Sequence, residues 1–216
     1  MTNLIHIDQK FIPVLILFFS FFGIPSVCLS VDYQIGPFDY TNSEDRNNWL
    51  GNVEHNHFNS DVENLKKGIT GTVFDDLDYT LRIFPNHHRA LYAMAKLFRQ
   101  TPQPSSTKGI VTKTPYYYFQ RAMQIAPHDA IVPMIYGIHL HKLRKLSQAQ
   151  KQYEKAIQID PNLVEAHYNL GLLLVDRKEY DLAFKHADFA YRRGYPLQGL
   201  RIELQQVGAW HESNQK

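Results

Sequence analysis

Sliding the sequence along itself by thirty-four residues brings Pro127 onto Pro161, Gly137 onto Gly171 and Ala149 onto Ala183. The same shift carries Ala122 onto Ala156 and Ala156 onto Ala190, and Gln124-Ile125 onto Gln158-Ile159. A fixed period of this size means that one supersecondary unit is stacked several times along an axis, each copy burying its apolar face on the next. Unrelated amphipathic helices would not agree at so many independent positions. The period therefore restricts the chain to a stacked array before any single element is considered.

Each copy holds two stretches of helical spacing. In the first, Leu91, Met94, Ala95 and Phe98 recur as Pro133, Tyr136, Gly137 and Leu140, and again as His167, Leu170, Gly171 and Leu174. In the second, Phe119, Ala122 and Pro127 recur as Tyr153, Ala156 and Pro161. Ala95, Gly137 and Gly171 let paired helices approach closely, and Ala149 and Ala183 do the same on the facing helix. This pattern resembles the tetratricopeptide repeat, strongly over Ala130 to Pro196 and well over His88 to Pro127. The resemblance implies an all-α fold, a short α-solenoid of helix–turn–helix repeats with a C-terminal capping helix. It also implies a protein that binds another protein or peptide and does not act as an enzyme.

Boundary signals place the repeats at about 88–127, 130–161 and 164–196, after a degenerate leading helix over 72–84 and before a capping helix over 197–211, so that the array occupies 72–212. Asn162 with Glu165, and Ser147 with Gln150, are spaced as helix N-terminal caps. Thr114-Pro115 reads as an N-cap followed by proline at the first helical position. Gly194 after Arg192-Arg193 reads as a C-terminal stop with cations at the negative helix end. Leu197, Leu200, Leu204 and Val207 form one apolar stripe that would close the open end. Pro85 and Pro127 are forty-two residues apart, eight more than the period. The surplus falls in Thr101 to Thr114, with Pro102, Pro104, Ser105, Ser106 and Gly109, and predicts an enlarged loop inside the first full repeat. Residues 31–71 do not follow the repeat and are expected to be irregular apart from a short helix over Asp61 to Lys67.

The first thirty residues have a different character. Lys10 precedes the charge-free run Phe11 to Leu29, which ends in the small and turn-prone residues Gly23, Pro25 and Ser26. A positive flank, an apolar stretch and a small-residue exit are the parts of a secretory signal, with cleavage expected after Ser30. The run over 11–29 is also near the ~20 residues that span a bilayer, so an uncleaved anchor and membrane tether is the rival reading. Lipid attachment at Cys28 is a weaker one, because Val27 stands where a smaller residue is favoured. Cys28 is the only cysteine, which rules out an intramolecular disulfide framework.

Gly36-Pro-Phe-Asp-Tyr-Thr, Val53-Glu54, His57-Phe58, Asp76-Leu-Asp-Tyr-Thr-Leu-Arg and Phe84-Pro-Asn-His-His-Arg-Ala-Leu resemble a group of exported bacterial tetratricopeptide proteins of poorly defined role. That resemblance implies a cell-envelope location, periplasmic or anchored in the inner membrane and facing the periplasm. It carries no catalytic set.

Lys and Arg number 23 against 21 Asp and Glu, a balance that does not suggest nucleic acid as a partner. No phosphate loop, His-Glu-x-x-His helix or cysteine nucleophile is present beyond residue 30, and no cofactor is expected. Asp75, Asp76 and Asp78 would fan out on a helix and favour its positive N-terminus. The eleven histidines include pairs. His139 and His141 are two apart on a helix and point to different sides. His55, His57, His87 and His88 would converge on a metal, with Glu54, Asp75 or Asp78 near, only if the leading segment folds back on the first repeat. The competing reading makes His87 and His88 capping or stacking residues at a helix start.

By analogy with the fold, first-helix residues off the core stripe line a concave groove: Arg89, Tyr92, Lys96, Ile131, Met134, Ile138, His141, Glu165, Tyr168, Asn169 and Leu172. Their mix of apolar bulk and few charges suits a short extended or helical segment, with Tyr92, Met134 and Tyr168 as expected anchors. Met134, Ile135 and Ile138 stand where clamping a C-terminal carboxylate would need polar side chains. Alternatively, these side chains only pack against the capping helix or a second subunit. A self-associating structural subunit is the runner-up function, and a histidine-rich metal-binding protein the third.

Overall fold

A computed structural model describes residues 35–211. The expected signal or anchor over 1–30, with the tether at 11–29, lies outside the described residues. Among these residues every regular element is helical, and no helix is long and apolar enough to cross a membrane.

The repeats form three helix pairs: α5 (His88–Gln100) with α6 (Pro115–Ile125), α7 (Ile131–Lys142) with α8 (Leu146–Ile159), and α9 (Val164–Asp176) with α10 (Tyr180–Arg192). A short α11 (Gly199–Gln206) follows. One continuous core runs through all of them, from Leu91 and Met94 through Phe119, Tyr136 and Tyr153 to Leu173, Leu200 and Leu204. Of the apolar stripe expected on the last helix only Leu200 and Leu204 are buried; Leu197 and Val207 are exposed.

The small residues sit where helices touch. A Cβ on Gly137 would lie 2.6 Å from the Tyr153 ring, and one on Gly171 would lie 2.5 Å from Leu200 Cδ2. The two contacts are related. One period after Tyr153 stands Ala187, too small to cover Gly171, and Leu200 of α11 fills the space instead. The capping helix is thus keyed into the last repeat by a substitution within it.

Helix ends agree with the sequence in part. Thr114 is the N-cap of α6 with Pro115 in its first turn. Gly194 has φ +79, and Tyr195 N–H reaches Ala190 O at 3.2 Å, closing α10 as expected. The two predicted caps at Asn162 and Ser147 are not formed. Helix α9 begins after Leu163 and α8 after Lys145, neither with a side-chain cap, and Asn162 N–H instead donates to Asp160 Oδ1 at 2.9 Å. The turns before α8 and α10 are made by the backbone. Arg144 (φ 58) and Lys178 (φ 62), one period apart, both adopt the left-handed conformation. The next N–H, from Lys145 or Glu179, returns to Leu140 O or Leu174 O at 3.0 and 2.9 Å.

The segment before the repeats is more ordered than its sequence suggests. Ser43–Asp45 (α1), a π-helical stretch Arg46–Leu50 and Gly51–His57 (α2) run on continuously, and α3 (Ser60–Glu63) replaces the helix expected over Asp61 to Lys67. Helix α2 packs on α4 (Val73–Ile83), so the two make a leading pair in front of the first repeat. Helix α4 starts from a full capping box, Thr72 with Asp75.

Candidate protein-interaction surface

The predicted groove residues divide into three groups. At the N-terminal end, Tyr92 is 44% exposed, Lys96 is half-buried, and Arg89 is exposed but tied down. Arg89 Nε donates to Glu63 Oε1 at 2.8 Å, and its guanidinium lies over Phe58 at 5.2 Å. In the middle, Ile131 and Ile138 are half-buried and Met134 is 3% exposed. Packing of α7 against its neighbours takes Met134 into the core, so it is not an available anchor.

The third group lies under the chain's own C-terminal element. Tyr168 is 6% exposed, its ring 4.4 Å from that of Tyr195, and its hydroxyl would be 2.9 Å from a Cβ on Gly199. Tyr168 is therefore corrected from a partner anchor to an internal contact, as the alternative reading of these side chains held. Burial, then Glu165 and the neighbouring tyrosines, push the Tyr195 phenol up to about 12. Glu165 is exposed, Leu172 half-buried, and Asn169 Nδ2 donates to Glu165 O at 2.8 Å. His141 Nε2 lies 2.9 Å from Asp176 Oδ2, an oxygen that also takes the Arg144 guanidinium. Glu203 of α11 is held above the usual carboxylate range by burial and by Asp176. The open part of the first-helix face is thus its N-terminal end.

The leading segment does fold back on the first repeat, but its histidines go to separate carboxylates. His57 Nδ1 is 2.9 Å from Asp76, His87 Nε2 is 3.0 Å from Glu54, and His88 Nε2 is 2.8 Å from Asp129. His55 is exposed. Among the described residues no group of three or more His, Cys, Asp or Glu is placed to hold a metal. His87 is the N-cap of α5: its Nδ1 accepts from Ala90 N–H at 3.2 Å while Nε2–H donates to Glu54. That bond to His87 is the main reason the Glu54 carboxyl is held low, and burial depresses the His87 imidazole. Tyr40 stacks near both rings, 4.6 Å from His87 and 4.9 Å from His88.

The three aspartates of α4 fan out as expected, each to a different clamp. Asp75 accepts from Thr107 N–H and Oγ1 at 2.9 Å each and from Ser106 Oγ, fastening the enlarged loop. Asp76 is fully buried and accepts from Ile69 N–H, Thr70 Oγ1 and His57; burial opposes its charge, but these bonds hold it below the usual carboxylate range. Asp78 takes Lys113 Nζ and Tyr118 OH, both at 2.6 Å. Asn86, missed by sequence reading, bridges Asp39 and Asp129 through Nδ2 and accepts from Tyr40 N–H.

Comparison with known proteins bears on the repeat and the fold. A family model described as TPR repeat matches residues 139–177. Over 68 residues the chain is 34% identical to the Hsp70-Hsp90 organising protein of Plasmodium falciparum, which covers 32% of this chain and 12% of that protein. Over 88 residues it is 33% identical to the RNA polymerase-associated protein CTR9 of Caenorhabditis elegans, covering 40% and 8%. The chain thus spans a small fraction of the length of these curated relatives. The solved structure of pilF from Pseudomonas aeruginosa superposes with a TM-score of 0.53 at 19% identity, over 76% of this chain and 68% of that one, a likeness of fold.

Proposed function

Because this chain is built of tetratricopeptide repeats, we propose that it is a protein- or peptide-binding adaptor or scaffold of the bacterial cell envelope, taking its partner on the N-terminal end of the first-helix face. Repeats of this kind generally mediate protein–protein contacts. The observation that carries the reading is Tyr92. It is 44% exposed on a first helix, flanked by Lys96 and Arg89, and the first helix packed on it, α7, carries the half-buried Ile131 and Ile138. A half-exposed tyrosine beside aliphatic side chains is the composition of an energetic centre in a small interface. Envelope location is supported by Lys10 with the apolar run over 11–29 and by the absence of cysteine after Cys28. The protein would face the periplasm, either released there or tethered through that run. Catalysis forms no part of this reading.

The test is affinity capture from envelope extracts with the purified protein and two variants. Tyr92→Ala should lose a captured partner while keeping its denaturation midpoint. Tyr168→Ala should lower that midpoint, because it empties a space beneath Tyr195. Capture that is the same for the wild type and Tyr92→Ala would remove the first-helix face from consideration.

A further inference from the structure

A cleft of about 600 Å³ opens between α6 and α8, floored by α7. It is not the first-helix groove. Tyr136, His139, Leu140 and Leu143 form its floor, and at 100° per residue they lie on the side of α7 opposite Ile131, Met134, Ile138 and His141. The cleft follows from the enlarged loop. Helices α6 and α8 end one period apart, at Ile125 and Ile159, but α6 begins at Pro115, three residues later than the start of α8 would place it. The missing turn leaves the start of α6, with its cap Thr114 and first residues Pro115 and Tyr116, at the mouth.

We propose that this cleft is a second binding site, for an acidic, extended segment of a partner protein. Its lining contains no aspartate or glutamate, and two exposed lysines, Lys151 on α8 and Lys145 just before it, stand on one wall. From Lys142 to Lys155 there are five cations and one anion, in a chain whose net charge is only +2. Behind the floor, Arg99 Nη1 donates to His139 Nδ1 at 3.1 Å and pairs with no carboxylate among the described residues. A half-buried guanidinium without a counter-ion adds to the positive field of the floor. The Gln152 side chain also lines the cleft; its oxygen accepts no hydrogen bond in the structure and is covered, so it meets a ligand only when the side chain turns outward. Turned outward, it would accept from an N–H, which an extended backbone carries at every residue. Tyr116, 61% exposed, and Leu143, 42% exposed, supply apolar contact at the rim. Carboxylates for the lysines, a backbone amide for Gln152 and a large apolar side chain for Tyr116 and Leu143 together describe an acidic peptide, whereas a lipid surface is too flat to enter the cleft.

The test uses fluorescence anisotropy with a fluorescein-labelled peptide of alternating glutamate and leucine, its lysine–leucine counterpart and a labelled oligothymidine. The acidic peptide should bind, and more weakly as salt rises. The lysine peptide should not bind. Lys145→Glu with Lys151→Glu should weaken the acidic peptide at least about tenfold, and Lys145→Gln with Lys151→Gln should weaken it less. Both lysines are exposed, so the denaturation midpoint should not move. Tyr92→Ala should leave this binding unchanged, which separates it from the first-helix surface. Binding that is indifferent to peptide charge or to the lysine reversals would overturn the proposal. Loss on Tyr92→Ala would do so too, and so would equal binding of the oligothymidine released by the same reversals.

Discussion

Gly137→Ala should destabilise the array although it replaces glycine by the best helix former. The added Cβ would lie 2.6 Å from Cδ1 and Cε1 of Tyr153 and 3.1 Å from its Cζ, against the ~3.5–4.0 Å at which carbon atoms rest. Tyr153 is fully buried and its ring is planar, so no flexible end can swing aside; the helices must part by about 1 Å. Such overpacking costs roughly 1–3 kcal/mol, and the helix gains about 1 kcal/mol from losing glycine, so a net loss of up to about 2 kcal/mol is expected. Gly51 is the control: it is helical with nothing within 4 Å of its Cβ position, so Gly51→Ala should stabilise by about 0.5–1 kcal/mol. Urea denaturation followed by far-UV circular dichroism reads both. Combining Gly137→Ala with Tyr153→Ala should cost less than the sum of the single changes by about 1–2 kcal/mol, since the clash vanishes with the ring. Strict additivity, or a Gly137→Ala midpoint that rises like that of Gly51→Ala, would refute the packing.

Two further outcomes follow. The Tyr153 hydroxyl is buried without a hydrogen-bond partner, so Tyr153→Phe should leave stability unchanged or raise it by up to about 1 kcal/mol in the same assay. Acid should weaken the fold. Burial, then Arg99 and Lys145, depress His139 to about 4, and burial, then His167, depress His186 to about 4. An unfolded imidazole binds its proton near 6.5. The unfolded chain therefore holds more protons across that interval, and the stability is whole above pH ~6.5 and drains as pH falls towards ~4. The loss is at most about 3 kcal/mol for His139 and less for the more open His186. A midpoint that does not change between pH 7 and 5 would show that these rings are not buried in neutral form.

The array was legible because its signal repeats. Gly137 and Gly171, Ala149 and Ala183, and the prolines each report the same packing constraint, so one misread position changes little. Helix α2 was not legible, because Gly51, Asn52 and Asn56 have poor helix propensity and only its packing on α4 makes it helical. The false caps at Asn162 and Ser147 came from residue types that fit, but α8 begins after Lys145 and α9 after Leu163, so neither side chain stands at the position from which a helix start is capped. The expected groove residues fall on the first helices α5, α7 and α9, but their coverage was not legible. Whether Tyr168 faces solvent depends on where Tyr195 and Gly199 fold back, a contact across some thirty residues that no local period encodes. Likewise the cleft between α6 and α8 arises from a helix turn that is absent, and an enlarged loop in sequence does not say which wall it leaves open.

The placement of Tyr195 and α11 over Tyr168 also has a kinetic side. Short elements held by few buried side chains open at lower free energy than the helices they cover. The lid over the far end of the first-helix face is such an element, α11, anchored by Leu200 and Leu204. A partner long enough to reach Tyr168 must compete with the chain's own tail, and its apparent affinity is reduced by the fraction of molecules in which that tail is closed. Under the proposed function, short ligands near Tyr92 would be exempt from that competition, so the length of a partner would itself set how readily one surface takes it up.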